Sequence, residues 1–196
     1  MKKTKIILSV LLILAIMVSF VGCGKSVSND ADGNKFVKIT MEDGREIVVE
    51  VMPGYAPMTA EFFLELVEDK YYDGLLFHRA VEGFMIQGGS PNGDGIGGCG
   101  RTVKGEFSSN GIENSLSHER GVISLARTDV KDSASGQFFI VHEDSTFLDG
   151  NYAAFGRVVE GMEVVDEIAT RATSSEILID KPAMKTVRVL KNYNTK

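Results

Sequence analysis

The chain runs in two hydrophobic rhythms. Phe36–Met41 and Arg45–Val51 are short runs rich in β-branched residues, and they bracket Glu42-Asp43-Gly44. An Asp-Gly pair between such runs predicts a β-hairpin, because a tight hairpin turn needs positive φ. From Pro57 to Lys70 the period lengthens. Phe62, Phe63, Leu66 and Val67 fall on one helical side, with Glu61, Glu65, Glu68 and Asp69 at polar positions. Thr59 is the predicted N-cap. Leu75–Gln87 returns to strand, and Gly121–Arg127, Gly136–Val141, Tyr152–Val159 and Lys185–Leu190 are further short strands. Gly161–Ala169 reads as a second helix, with Met162, Val165 and Ile168 on one face. Many short strands, glycine turns and only two helices predict a mainly β, barrel-type domain, since closing a sheet removes its exposed edges.

Two regions lie outside this pattern. Gly88–Gly105 carries eight glycines in 18 residues, which predicts a long loop that visits positive φ or lies close to a neighbour. No Gly-Lys-Ser/Thr ending follows it at a strand-to-helix junction, so a nucleotide cradle is not predicted. The other region is the N-terminus. Lys2, Lys3 and Lys5 precede an apolar run from Ile6 to Phe20, and Val21-Gly22-Cys23 follows. The run is 15 residues long, short of the roughly 20 that span a bilayer as a helix. A basic start, an apolar stretch and small residues describe a secretory signal. A cysteine directly after the small residue resembles a bacterial lipoprotein signal. The expected organisation is a signal peptide at 1–22, a lipidated Cys23 with a flexible tether at 23–35, and one domain at 36–196. That places the domain outside the cytoplasmic membrane, anchored to it by lipid.

Charge and cysteines narrow the picture. The formal net charge is −6, and removal of the three leader lysines makes it −9. Such an acidic chain has no electrostatic reason to bind nucleic acid or anionic lipid. With Cys23 in the anchor, Cys99 is left alone, so the domain depends on a packed core and not on a disulfide. Gly24-Lys25-Ser26 lacks the glycine that should precede a phosphate loop. Asp30-Ala31-Asp32-Gly33 lacks the closing carboxylate of a calcium loop, Ile39 standing there. The three histidines and the spare cysteine show no metal-ligand spacing. No cofactor is expected.

The candidate chemistry lies in two further runs. Phe77-His78-Arg79 leads into Gly83-Phe84-Met85-Ile86-Gln87-Gly88-Gly89, and Gly136-Gln137-Phe138-Phe139-Ile140 follows about fifty residues later. Phe147-Leu148-Asp149-Gly150 and Phe155-Gly156-Arg157-Val158-Val159-Glu160-Gly161-Met162 complete the set. Together these blocks resemble the cyclophilin family of peptidyl-prolyl cis-trans isomerases, over about Phe36–Leu190. The resemblance implies a closed eight-stranded antiparallel barrel capped by two helices. It also implies catalysis of rotation about Xaa-Pro amide bonds, with proline-containing unfolded or exported polypeptides as partners. Arg79 would be the catalytic residue. Phe84, Met85, Phe139 and Leu148 would hold the prolyl ring, and Gln87 and Gln137 would be the polar amides beside it. Ala126, Arg127 and Thr128 would run alongside the peptide, and Gly95 would line a neighbouring pocket.

The chain departs from the common family pattern at Glu82 and Ser90, in turns and without functional meaning, and at three places in the groove. Phe147 stands where many members have tryptophan, Tyr152 where a histidine is common, and Arg127 where asparagine is familiar. The first two resemble bacterial members, and the missing indole N–H implies weak cyclosporin binding. Alternation along a strand predicts that Phe138 faces the core and Phe139 the groove. His78 should face away from Arg79 as a hydrogen-bonded structural residue, while His118 and His142 are expected on the surface or in loops. A monomer is the default. The alternatives are a proline-peptide-binding chaperone without useful turnover and a surface adhesion module on the same scaffold. No Gly-x-Ser-x-Gly elbow supports a serine hydrolase.

Overall fold

The computed structural model describes residues 33–193. The expected signal peptide, Cys23 and most of the expected tether lie outside the described residues. The strands are β1 (Lys35–Met41), β2 (Glu46–Val51), β3 (Leu76–Val81), β4 (Met85–Ser90), β5 (Val122–Leu125), β6 (Phe138–Val141), β7 (Ala154–Glu160) and β8 (Met184–Leu190). Helix α1 spans Pro57–Glu68 and α2 spans Met162–Thr170. All eight strands join one antiparallel sheet in the order β3-β4-β6-β5-β7-β2-β1-β8. The β1–β2 hairpin turns at Gly44, whose φ is 87°. Leu75–Gln87, read above as one strand region, divides into β3 and β4 around Glu82-Gly83-Phe84.

The expected closed barrel is corrected to a curled half-barrel. β3 and β8 end the sheet and share no ladder. Single contacts stitch the seam instead. Phe77 N–H donates to the Pro182 carbonyl (2.9 Å), Leu178 N–H to that of His78 (3.0 Å) and Met184 N–H to that of Leu75 (2.8 Å). A ladder cannot run through this stretch, because Pro182 has no N–H to return and the β3–β4 register slips twice along β3.

The inner face of the sheet holds the main core. Phe63 of α1 is its hub, with ring centroids 4.9 Å from Phe155, 5.3 Å from Tyr72 and 5.9 Å from Phe138. Phe62, Phe63, Leu66 and Val67 are buried as the helical period predicts. So are Val165 and Ile168 of α2, joined by Val164 and Ala169. The start of α1 differs from expectation. The helix opens at Pro57, where the missing N–H costs nothing, and Thr59 is buried inside the first turn. Its cap comes from far along the chain. The Glu106 carboxylate accepts from the backbone N–H of Thr59 (2.7 Å) and of Met58 (3.2 Å). These are orphan donors of a first turn, which a negative charge satisfies well.

The outer face of the same strands is apolar too. Met85, Val122, Phe139, Val141, Leu148 and Ala154 form a second, smaller cluster, flanked by Phe84, Ala126 and Tyr152. A sheet with both faces apolar must cover the outer one with something, and here it forms the floor of a groove.

Candidate active site

Arg79 stands on β3 with its side chain on the groove side, while His78 beside it is buried. β4 runs antiparallel to β3 and pairs Gln87 with Arg79. That register delivers the Gln87 amide to the guanidinium. Arg79 Nη1 donates to Gln87 Oε1 at 3.1 Å and lies 3.9 Å from the sulfur of Met85. Gln87 Nε2 donates to Gln137 Oε1 (2.9 Å), and Gln137 Nε2 donates to the carbonyls of Gly95 and Gly97 (2.9 Å each). The relay ties Arg79 to the glycine-rich loop through two amides whose orientation every step fixes. The loop comes close enough because it is glycine-rich: a Cβ at Gly98 would collide with the carbonyl and side chain of Ser135, two residues before Gln137.

Two pockets flank the relay. The first, of ≈ 190 Å³, is lined by Arg79, Phe84, Met85, Gln87, Ala126, Arg127, Phe139, Leu148 and Tyr152. The second, of ≈ 110 Å³, shares Gln87, Ala126 and Arg127 and adds Gly95, Thr128 and Gln137. Every groove residue expected from the sequence therefore lines one pocket or the other, with one exception. Phe147 lines neither; it is 70 % exposed and packs its ring 5.4 Å from that of Phe84. Gly97, Ser133 and Ser135 of the second pocket were not foreseen. Arg127 is fixed across the groove floor. Nε and Nη2 donate to the Asn151 carbonyl (3.0 and 2.8 Å), and its charge lies over the rings of Tyr152 (4.7 Å) and Phe107 (5.1 Å).

His118 and His142 lie in loops, as expected, but neither is on the surface. His118 is 1 % exposed and supports the floor from below. Its Nδ1 lies 2.8 Å from Asp149 Oδ1 and its Nε2 3.2 Å from Ser124 Oγ, while its ring stacks on Phe139 at 6.0 Å. Asp149 can only accept when ionised, so Nδ1 carries the proton and Nε2 accepts from Ser124. Burial pushes the His118 pKa down, against the opposing pull of Asp149. Burial also raises the Asp149 carboxyl, but hydrogen bonds from Ser117 and His118 outweigh it, and the net shift is downward. Ser124, His118 and Asp149 thus line up like a hydrolase triad, yet Ser124 is fully buried and cannot meet a substrate. His142 is also largely buried, its Nδ1 accepting from Gly83 N–H at 3.0 Å. His78 faces away from Arg79 as expected and is buried, but the expected hydrogen bonding is corrected: neither ring nitrogen has a partner among the described residues.

The family described as cyclophilin type peptidyl-prolyl cis-trans isomerase/CLD matches residues 36–193. The chain belongs to the cyclophilin family. It is a peptidyl-prolyl cis-trans isomerase. Peptidyl-prolyl cis-trans isomerase B of Bacillus subtilis is 39 % identical over 140 residues, which cover 71 % of this chain and 94 % of that one. A peptidyl-prolyl cis-trans isomerase of Acinetobacter baylyi is 35 % identical over 191 residues, 91 % of this chain and 97 % of that one. Among solved structures, a cyclophilin type isomerase of Cryptosporidium parvum, determined in the presence of the dipeptide Ala-Pro, superposes with TM-score 0.71 at 30 % identity. It covers 80 % of this chain and 99 % of its own. In this cyclophilin the seam between β3 and β8 and the groove on the outer face lie on one continuous sheet.

Proposed function

We propose that Arg79 is the catalytic donor of this isomerase and that the first pocket holds the prolyl ring. The barrier to amide rotation is about 18–20 kcal/mol, because the C–N bond has double-bond character. In the twisted state the prolyl nitrogen becomes pyramidal and regains a lone pair. A fixed cationic donor that reaches this nitrogen binds the twisted form better than either planar one, which is all that catalysis needs here. Arginine suits the task, being permanently charged and tolerant of partial burial. Phe84, Met85, Phe139 and Leu148 supply apolar contact for the ring, with Tyr152 on the far wall. Gln87 and Gln137 hold the arginine and present amide groups to the peptide backbone. Ala126, Arg127 and Thr128 run beside the peptide, the residue before proline extends toward Gly95, and Phe147 shields the rim.

One observation carries this reading. The Arg79 guanidinium is held at the edge of an apolar pocket by a partner fixed in its own place, Gln87. The Ala-Pro dipeptide present with the Cryptosporidium relative supports a proline-containing ligand for the groove. The test is an isomerase assay on a short Xaa-Pro peptide with the full-length chain and its Arg79→Ala variant. Loss of one preorganised donor predicts a fall in kcat/KM of about 100-fold or more. An unchanged rate would sink the assignment.

The cellular setting belongs to the same proposal. The leader supports a bacterial lipoprotein, anchored at Cys23, that acts as a monomer on exported chains just after translocation, where slow proline isomerisation limits folding. Two or more acyl chains hold a protein firmly where one does not, at about 0.8 kcal/mol per buried CH₂. Expressed in a bacterium fed a labelled fatty acid, the chain should carry label into the membrane fraction. Cys23→Ala should carry none; label retained by that variant would refute the anchor.

A further inference from the structure

Arg79 has a second partner, one that the sequence did not foretell. Its Nε and Nη2 both donate to Glu176 Oε2, at 2.8 and 2.6 Å. Glu176 lies 97 residues further along the chain, in the segment between α2 and β8 that stitches the seam. Its backbone is tied to β3, because the Glu176 carbonyl accepts from Ala80 N–H at 2.9 Å. Gln87 takes Nη1 on one side and Glu176 takes the Nε–Nη2 edge on the other. Held at both edges, the guanidinium cannot swing about its last torsions, and its orientation toward the pocket is set.

The backbone of Glu176 adds a second, independent observation. Its φ is 64°, and among the described residues only Lys70 is another non-glycine with positive φ. Lys70 has an ordinary reason, since it ends α1: its N–H donates to the Val67 carbonyl and that of Tyr71 to Leu66. Glu176 follows no helix directly; α2 has ended at Thr170. It closes a turn in which its own N–H donates to the Thr173 carbonyl at 2.9 Å. Glycine would take this conformation without strain and asparagine at less cost, whereas glutamate does so against backbone preference. The ion pair does not offset that strain, for both partners are partly exposed and such pairs add little stability. Backbone strain retained without a stabilising return marks functional positions.

We infer that Glu176 is a positioning residue that orients Arg79 for catalysis, at a cost in fold stability. The inference rests on the reading of Arg79 as the catalytic donor. Its signature is an opposed pair of effects in Glu176→Gly. Thermal unfolding should move up by about 2–4 °C as the strain is relieved. At the same time kcat/KM should fall about 3- to 10-fold as the guanidinium loosens, since small misplacements of a reacting group are costly. Glu176→Gln, which keeps both the backbone and an acceptor oxygen, should keep the wild-type Tm and retain more activity than the glycine variant. In an Arg79→Ala background Glu176→Gly should raise Tm and cost no further activity. A glycine variant with unchanged kcat/KM, or one that loses as much activity without Arg79 as with it, would overturn the positioning role. A lowered Tm in Glu176→Gly would overturn the strain argument. An Arg79→Ala chain as active as wild type would remove the assignment beneath and this inference with it, and that outcome is read separately from the Glu176 variants.

Discussion

Phe138 and Phe139 are neighbours in one strand and belong to two different regions. Phe138 points inward, meeting Phe63, Tyr72 and Phe77 edge-on at 5.4–5.9 Å. Phe139 points outward into the smaller cluster, where it meets His118 and Tyr152 and walls the first pocket. The inner region is closed on every side by α1, α2 and the curl of the sheet. The outer region is closed on one side only. Both are apolar, and exposure in the folded chain separates them poorly, at 1 % for Phe138 and 5 % for Phe139. What separates them is whether a space left empty can be reached by water or by a ligand. An interior must be filled to be stable, whereas a groove floor must stay unfilled on one side to be useful.

Truncation of the two rings tests that difference most strongly. Phe138→Ala should destabilise the fold by about 3–5 kcal/mol, because the cavity it leaves is sealed among rigid rings. The protein that remains folded should turn over nearly as wild type does. Phe139→Ala should cost less stability, about 1–3 kcal/mol, since the space it opens joins an existing pocket. Its kcat/KM should fall about 10- to 100-fold, the loss expected when a prolyl ring forfeits an aromatic wall. Urea unfolding and an isomerase assay, with rates normalised to folded protein, give both numbers. Equal activity losses in the two variants, or a larger stability loss at Phe139, would break the division into a structural and a functional face.

That division was legible in the sequence, because a strand alternates its side chains with period two and Phe-Phe must therefore split. The β1–β2 hairpin was legible from Asp43-Gly44, and the buried sides of both helices from their spacing. The groove residues were legible through their family blocks. The rest depends on contacts that no local pattern encodes. Thr59 looked like a helix cap because it is a hydroxyl near the helix start; the cap is Glu106, 47 residues away. The closed barrel failed at Pro182, a visible breaker, but that it faces β3 is a fact of tertiary structure. His118 and His142 carry no signal of burial in their polar neighbourhoods, and their partners Asp149 and Gly83 lie far off in sequence. Glu176 is the sharpest case. It is one acid between Ser174-Ser175 and Ile177-Leu178-Ile179, and only the fold brings it to Arg79.

Buried histidines on both sides of the sheet also respond to acid, with a smaller effect. His118 lies under the groove floor and His78 behind Arg79, bordering Gly95. Burial depresses the pKa of each below the ordinary 6.5. The sign follows from proton counting. Above pH 6.5 both folded and unfolded chains hold these histidines neutral, so the full stability is present. Below it the unfolded chain takes up protons that the folded chain refuses, and stability falls as pH falls, until the depressed folded-state values are reached. The slope can approach about 1.4 kcal/mol per pH unit for each histidine. Asp149 keeps its charge through this window, because its own pKa is shifted down. Denaturant unfolding at pH 7.5 and pH 5.5 should therefore show a clear loss on acidification. His118→Gln and His78→Gln should each remove part of the slope. Only the first, acting beneath Phe139, should also alter the pH profile of isomerisation. A stability that stays level between the two pH values would mean that neither histidine resists its proton. A profile moved equally by both variants would mean that the floor and the interior are not separate after all.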